Sequence, residues 1–252
     1  MIDARTIGRL ITMAEDDHPA LPELMSALPG SQSPTGAQII GLTGAPGVGK
    51  STATAALIPI FRARGQTVAV IAVDPSSPIT GGALLGDRIR MQTYATDDGV
   101  FIRSMASRGR LGGLAAATPV AVRVLESAGY DVVLVETVGV GQAEVDIASL
   151  ADTTVVIVAP NMGDGVQAAK AGVLEVADVL VVNKGDVDGA DDAVRALRDM
   201  VSGTPERTAG SWRPVVVRTV ATASDGMTEL VEALDKHWAW RTKNAQASTP
   251  SS

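Results

Sequence analysis

The sequence contains no cysteine, two histidines and few aromatic residues, and each shortage excludes a kind of protein. Without cysteine there is no disulfide framework, thiolate zinc site or thiol catalysis, and such a composition fits a reducing compartment. His18 and His237 lie far apart in the chain, which argues against a histidine metal cluster. Since aromatic residues make up 3% of the 252 residues, we expect a core of valine, isoleucine, leucine and alanine.

Basic residues are also outnumbered, because 21 Lys+Arg against 28 Asp+Glu give a net charge of −7. A negative protein repels a phosphate backbone, so nucleic acid is not an expected partner. Long hydrophobic runs are missing as well. The longest, such as residues 155–159 and 179–182, have the length of a strand rather than of a signal peptide or membrane span. We therefore expect a cytoplasmic protein without a membrane partner.

Short apolar runs alternate with helical patterns along most of the chain. This order predicts βαβ units, and hence an α/β fold with a mainly parallel sheet sandwiched by helices. The predicted strands are 38–43, 67–73, 131–135, 153–159, 178–182 and 214–218. The predicted helices are 4–17, 23–28, 50–64, 115–128, 166–176, 188–201 and 227–240. By composition we divide the chain into an N-terminal helical segment and linker (1–36), a main domain (37–241) and a flexible tail (242–252).

A glycine-rich segment follows the first predicted strand of the main domain. Residues 44–51 read GAPGVGKS, which matches the phosphate-binding pattern G-x-x-x-x-G-K-[ST] between a strand and a helix. Its backbone N–H groups and the helix N-terminus attract an anion, Lys50 can reach the β- and γ-phosphates, and the Ser51 hydroxyl can bind Mg²⁺. The residues expected to contact the nucleotide here are Gly44, Ala45, Pro46, Gly47, Val48, Gly49, Lys50, Ser51 and Thr52.

A second motif, Asn183-Lys184-Gly185-Asp186, follows the strand predicted at 178–182. The Asp186 carboxylate can accept hydrogen bonds from N1–H and the 2-amino group of guanine, and adenine offers neither donor. Lys184 can lie along the face of the base, and Asn183 can tie neighbouring loops together. A further loop, residues 220–222, can offer the Ala221 N–H to guanine O6. The base-binding residues predicted are Asn183, Lys184, Asp186, Val220, Ala221 and Thr222.

Acidic residues follow two other predicted strands. Asp74 ends one strand and precedes a glycine-rich loop with Asp87, whereas Glu136 ends another and precedes Gly139. Each acid taken alone reads as an ordinary loop charge, but as a set beside a triphosphate they predict a switch that holds Mg²⁺, with the Gly139 N–H on the γ-phosphate. We assign catalysis to Lys50, Asp87 and Glu136. Because no arginine or glutamine stands out as a catalytic finger, we expect slow basal hydrolysis.

Several of these segments together resemble the MeaB/ArgK/MMAA family of SIMIBI-class P-loop GTPases. The resemblance runs from about Arg5 to Trp240, and the glutamate-led motif at 136–142 is its most specific part. The matching segments are Asp74–Pro78, Thr80–Gly82, Gly86–Arg88, Gly112–Gly113, Glu136–Gln142 and Asn183–Asp186.

The resemblance implies a GTPase, hydrolysing GTP to GDP and phosphate, that acts as a chaperone of an adenosylcobalamin-dependent acyl-CoA mutase, typically methylmalonyl-CoA mutase. It would gate cofactor loading and the protection or reactivation of the mutase, which would accelerate hydrolysis, and the mutase would hold the adenosylcobalamin. The magnesium environment implied comprises Ser51, Asp74, Asp87 and Glu136. A mobile loop over 160–170, with Asp164 and Lys170 at its charged positions, would couple nucleotide state to the mutase.

Other functions stay open on the sequence. A nickel metallochaperone GTPase would be expected to show a Cys/His metal site. An ATP-dependent small-molecule kinase shares the P-loop but predicts no guanine preference. A GTP-sensing scaffold without turnover would have the same sequence motifs as a slow GTPase. A homodimer also stays open, although the chain ends soon after its last predicted helix, where many family members carry an arm used for dimerisation. Gly185 differs from the residues commoner at that position in the family.

Overall fold

The computed structural model describes residues 2–28, 36–74, 94, 96–106, 116–137, 143–160, 174–204 and 210–247. The helices are α1 (Ala4–Glu15), α2 (Leu21–Ser26), α3 (Lys50–Ala63), α4 (Thr118–Ala128), α5 (Ala143–Leu150), α6 (Leu174–Val176), α7 (Ala190–Gly203) and α8 (Met227–Ala247). The strands are β1 (Gln38–Thr43), β2 (Val68–Asp74), β3 (Val100–Ala106), β4 (Val132–Glu136), β5 (Thr153–Val158), β6 (Val179–Val182) and β7 (Val215–Arg218).

The seven strands form one sheet in the order β3-β2-β4-β1-β5-β6-β7, and every pair is parallel. The predicted α/β fold with a mainly parallel sheet is therefore confirmed. Strand β1 lies at the centre, with Gln38 opposite Val132 of β4 and Ile40 opposite Thr153 of β5. The chain reverses strand order on either side of β1, and ligands of such sheets bind beyond the carboxyl ends of the strands at this point.

Helices cover both faces of the sheet, which explains why the central strands are continuously apolar. Strands β1, β4 and β5 are buried at every position. Helices α1, α4 and α5 share one core cluster, and α7 covers the β5–β6 part of the sheet. Helices α3 and α8 share the cluster of the opposite face. Among the largest fully buried side chains of the described residues, only Phe61 is aromatic, in keeping with the expected aliphatic core.

Two elements were not predicted from the sequence, and one is longer than expected. Strand β3 lies at the sheet edge, and Arg103 and Ser104 interrupt its apolar run. Helix α5 spans only eight residues, too few for a clear helical period. Helix α8 continues to Ala247, past Thr242, where we placed the start of a flexible tail. Of the helix predicted at 166–176, the structure describes Leu174–Val176 alone, as helix.

The N-terminal helix α1 packs on the body of the fold rather than standing apart. Ile7, Leu10 and Ile11 are buried in the cluster that also contains α4. Its Glu15 carboxylate accepts a hydrogen bond from the Arg103 guanidinium of β3 at 2.5 Å. In the parts of the chain that the structure describes, no helix is both long enough and apolar enough to cross a membrane.

Candidate functional site

The loop between β1 and α3 has a backbone that only glycine allows at key positions. Gly44 and Gly49 have φ values of +143° and +98°. A Cβ at Gly44 would lie 2.1 Å from the Ile157 carbonyl oxygen, and one at Gly49 would lie 2.3 Å from Asn183 Nδ2. The conformation and the close approach of neighbouring strands thus both require glycine here.

Lys50 lies across this loop, as the first residue of α3. Its Nζ donates hydrogen bonds to the carbonyl oxygens of Gly44 at 2.8 Å and Ala45 at 3.2 Å. The side chain is largely buried, and no side chain caps the start of this fourteen-residue helix. A buried ammonium group beside the positive end of a helix macrodipole attracts an anion. The loop can therefore hold the phosphates predicted for it.

Glu136, at the carboxyl end of β4, faces the same helix. Its Oε1 accepts a hydrogen bond from the Ser51 hydroxyl at 2.5 Å, and its Oε2 lies 3.1 Å from the Thr54 hydroxyl. The carboxylate is 4% exposed. Serine hydroxyl and carboxylate oxygens are hard ligands of the kind that Mg²⁺ prefers. The donor set brought together by Ser51 and Glu136 thus fits that metal.

Thr54 was not among the residues predicted for the site. It lies three residues after Ser51 on α3, so both hydroxyls share a helix face, and that spacing is the signal that could have identified it. Its hydroxyl also lies 3.0 Å from the Lys50 carbonyl oxygen and is fully buried. In sequence it reads as an ordinary helical threonine, because only the fold brings Glu136 against it.

The remaining residues of the predicted switch are less completely described. The backbone of Asp74 ends β2 opposite Ala106, and Ala72 of the same strand pairs with Glu136. Asp74 therefore lies at the same edge of the sheet as Glu136. Asp87, Gly139, Asp164 and Lys170 lie outside the described residues, and their predicted roles stay predictions.

Asn183 joins three loops at this edge through its side chain. Its Nδ2 donates to the Val48 carbonyl of the glycine-rich loop at 2.9 Å. Its Oδ1 accepts from the Thr219 hydroxyl and from the Ala221 N–H, both at 3.1 Å. The side chain is 3% exposed. One amide therefore fixes the phosphate loop relative to both segments predicted to hold the base.

The Ala221 N–H, which we expected to reach guanine O6, donates to Asn183 in this structure. The O6 contact thus stays a prediction that requires this N–H to be shared or released. On the same loop, the Val220 N–H donates to the Asp225 carbonyl at 2.9 Å. Val220 is buried and Thr222 is exposed.

Lys184 and Asp186 are exposed on the turn that follows β6. Lys184 has a φ of +56°, in the left-handed region that non-glycine residues rarely adopt. Its carbonyl accepts from the Val187 N–H at 3.0 Å, which closes the turn with Asp186 inside it. The turn lies beside Thr219 of the neighbouring loop, because the Gly185 N–H donates to the Thr219 carbonyl at 2.9 Å.

The large pKa shifts among the described residues occur at the opposite edge of the sheet. Burial lowers the pKa of His237 to about 4 and raises the pKa of Asp178 to about 6. His237 Nδ1 lies 2.8 Å from the Thr153 hydroxyl and its Nε2 lies 3.3 Å from Asp178 Oδ1. Trp212 and Trp240 contact the His237 ring. We call these five residues the His237 cluster. It lies at the amino ends of β5 and β6, away from the glycine-rich loop.

The fold and the carboxyl edge of the sheet together define a class of protein. The glycine-rich phosphate loop is hydrogen-bonded to the buried Asn183, the first residue of the Asn-Lys-x-Asp segment. This combination places the chain among the P-loop GTPases. A sequence model of the family described as "Methylmalonyl Co-A mutase-associated GTPase MeaB" matches residues 7–250. The chain therefore belongs to the MeaB family of GTPases, and the family resemblance stated from its motifs is confirmed.

Individual relatives agree with this assignment. A protein of Pyrococcus abyssi is 51% identical over 239 residues, covering 93% of this chain and 72% of its own length. The mouse "Methylmalonic aciduria type A homolog, mitochondrial" is 39% identical over 197 residues, covering 77% of this chain and 48% of its own length. The crystal structure of an LAO/AO transport system kinase has a TM-score of 0.73 at 27% identity, with 95% of this chain and 72% of that chain covered.

Proposed function

We propose that this chain binds GTP with Mg²⁺, hydrolyses it to GDP and phosphate, and uses the cycle to gate adenosylcobalamin loading and the protection or reactivation of an acyl-CoA mutase. Methylmalonyl-CoA mutase is the partner we infer, because the name of the matching family associates it with that enzyme. The observation that carries the GTPase part is the Asn183 side chain, which bonds to both the phosphate loop and the segment beside the base turn.

The side chains at the edge have distinct tasks in this proposal. Lys50 would exchange its bonds to the Gly44 and Ala45 carbonyls for bonds to phosphate oxygens, which carry more negative charge. Asp186 would accept from the amino edge of guanine and so reject adenine. Ser51 and Glu136 would hold Mg²⁺, together with Asp74 and Asp87, and the ion when bound neutralises charge on the phosphates.

Glu136 also connects the site to the part of the chain that senses the phosphate. It is buried between α3 and the loop that begins at Thr137, whose hydroxyl donates to that of Thr43 at 3.0 Å. If the Ser51 hydroxyl bound the metal, the Glu136 carboxylate would have to change its hydrogen bonds, and Thr137 follows it directly in the chain. We infer that this coupling, together with the predicted loop at 160–170, transmits nucleotide state to the mutase. The partner, rather than this chain, would hold adenosylcobalamin.

Single-turnover hydrolysis with and without purified methylmalonyl-CoA mutase tests the proposal. We expect slow hydrolysis by the chain alone and at least about tenfold faster hydrolysis with mutase, because a partner can order the catalytic loops. The Asp186→Asn variant supplies a matched control. Its amide can donate to the extra carbonyl of xanthine. With this variant, the mutase should therefore accelerate hydrolysis of xanthosine triphosphate rather than of GTP.

The outcomes separate the two parts of the proposal. GTP turnover that the mutase leaves unchanged would remove the partner and keep the GTPase. Equal competition by ATP and GTP for the wild-type protein would remove the guanine assignment itself. If the mutase accelerates hydrolysis of GTP and of xanthosine triphosphate equally in the Asp186→Asn variant, Asp186 does not select the base.

A further inference from the structure

The turn that carries Asp186 needs an outside support. Lys184 and Val187 close it, so Gly185 and Asp186 are its two central residues. Neither central residue adopts the left-handed conformation, whereas Lys184 does. A left-handed lysine costs about 1 kcal/mol and persists only where neighbouring groups hold it. Those neighbours therefore determine where the Asp186 carboxylate lies.

Both backbone polar groups of Gly185 are held by residues at the end of β7. The Gly185 N–H donates to the Thr219 carbonyl at 2.9 Å. The Gly185 carbonyl accepts from Arg218 through Nε at 3.0 Å and through a second guanidinium nitrogen, Nη2. Two donors from one planar guanidinium fix the direction of this carbonyl more firmly than one would.

The direction of that carbonyl also sets the direction of Asp186. The Gly185 carbonyl and the Asp186 N–H belong to one planar peptide, and this peptide is the centre of the turn. Rotating it by half a turn would require a positive φ at Asp186, which a non-glycine residue disfavours. By holding the carbonyl, Arg218 thus holds the peptide from which the Asp186 side chain projects.

The space for this contact exists because residue 185 is glycine. A Cβ at Gly185 would lie 2.7 Å from Arg218 Nε and 2.8 Å from its Cγ. Because Gly185 does not have a left-handed φ, its backbone conformation alone does not demand glycine. The Arg218 backbone pairs with Val182 of β6, and the Nη1 atom of its guanidinium lies 3.6 Å from Asp191 Oδ1. Gly185 and Arg218 therefore form a matched pair across two loops.

We propose that Arg218 is a positioning residue for base selection, which aims Asp186 at the exocyclic amino group of the purine through the Gly185 carbonyl. The inference rests on the proposed function, since it concerns the same base site. It predicts that Arg218 matters most for nucleotides that carry the 2-amino group. Inosine nucleotides lack that group, so they report on the remaining contacts of the base.

The first test compares GDP and inosine diphosphate affinities for the wild type and Arg218→Met. Methionine keeps much of the side-chain stem but donates no hydrogen bond. Since Arg218 is half-exposed, we expect GDP affinity to fall about five- to tenfold and inosine diphosphate affinity to fall less, because hypoxanthine keeps N1–H but lacks the 2-amino group. Arg218→Lys should retain part of the preference. Arg195→Met, which removes an exposed arginine of α7, is the control and should change neither affinity.

The second test uses the matched pair. Gly185→Ala alone should weaken GDP binding more than Arg218→Ala does, because its methyl group displaces the guanidinium. The double variant should bind GDP better than the sum of the two single losses predicts, since the smaller side chain removes the two tightest contacts of the methyl group and leaves the one to the Thr219 carbonyl oxygen at 3.1 Å. Additive losses in the double variant would overturn the pairing.

The remaining outcomes distinguish this inference from the proposed function. Suppose that the wild type prefers GDP over ADP while Arg218→Met keeps the full preference for GDP over inosine diphosphate. In that case the positioning role is wrong and the GTPase proposal stands. A lower melting temperature of Arg218→Met with an unchanged preference would likewise reduce Arg218 to a structural contact. If the wild type shows no preference for GDP over ADP, the proposed function fails and this inference fails with it.

Discussion

The two edges of the parallel sheet hold their buried ionisable side chains in opposite ways. At the carboxyl edge, Lys50 bonds to backbone carbonyls and Glu136 bonds to hydroxyls, partners that phosphate and metal can replace. At the amino edge, the His237 cluster packs two tryptophan rings against its histidine, and Thr153 and Asp178 contact the two ring nitrogens. Exchangeable partners suit a binding site, whereas permanent partners suit an anchor for α8. The difference shows that strong pKa shifts do not by themselves mark a functional site.

The largest expected effect lies at the carboxyl edge. Lys50→Ala removes the ammonium group beside the phosphate loop, so GTP affinity should fall about a hundredfold or more, since charge-assisted contacts to phosphate are lost. Lys236→Ala, on the exposed face of α8, is the control. Calorimetric titration with GTP measures both variants. Unchanged GTP affinity and turnover in Lys50→Ala would remove this loop as the phosphate site.

The next effect tests the amino edge through pH. Because the folded-state pKa of His237 lies near 4, below its ordinary 6.5, the folded protein loses stability as the pH falls from about 6.5 to about 4. Because the folded-state pKa of Asp178 lies near 6, above its ordinary 3.8, the folded protein gains stability as the pH falls from about 6 to 3.8. Between about pH 6 and 4 the two contributions oppose each other, so the wild-type cluster should contribute a nearly flat pH dependence.

Asp178→Asn removes the acid contribution and leaves that of His237. The free energy of unfolding of this variant should fall by about 1 kcal/mol per pH unit between pH 6 and 4, relative to the wild type. Denaturant titrations at several pH values measure the difference. GDP affinity at pH 7.5 serves as the control and should not change. Parallel pH curves for the two proteins would contradict the opposing contributions.

The smallest expected effect sharpens the role of Thr54. Thr54→Val keeps the side-chain shape but removes the hydroxyl beside Glu136, so the Mg²⁺ concentration for half-maximal nucleotide binding should rise up to about tenfold. Thr54→Ser keeps the hydroxyl and should bind nucleotide like the wild type. Melting temperatures without nucleotide check the fold of both. Equal Mg²⁺ dependence in the valine and serine variants would show that Thr54 only fills space.

The sequence predicted those parts of the fold that have a strong local signal. Strands such as β4 and β5 are continuous apolar runs, because a parallel sheet covered on both faces has no polar side. Strand β3 gave no such signal, since an edge strand tolerates Arg103 and Ser104. The glycine-rich loop and Asn183–Asp186 were also predictable, because phosphate and guanine restrict the residues that can hold them.

Thr54 and Arg218 could not be predicted in the same way. Each acts on a residue distant in sequence, Glu136 for the former and Gly185 for the latter. The spacing of Thr54 from Ser51 places both hydroxyls on one helix face but does not show what they meet, and an arginine at the end of a strand has no pattern that distinguishes it from ordinary surface residues. Their significance depends on which segments the sheet order brings together.

The sequence by itself determined the kind of sheet and the glycine-rich loop, and it predicted the residues that would face a guanine, because these depend on short patterns with a direct chemical meaning. Only the tertiary structure decided which groups Asn183 bonds in the neighbouring loops, that a buried glutamate meets two hydroxyls of one helix, and that an arginine holds a glycine turn. These contacts join residues 33 to 135 positions apart. Only the folded chain brings such residues within hydrogen-bonding distance.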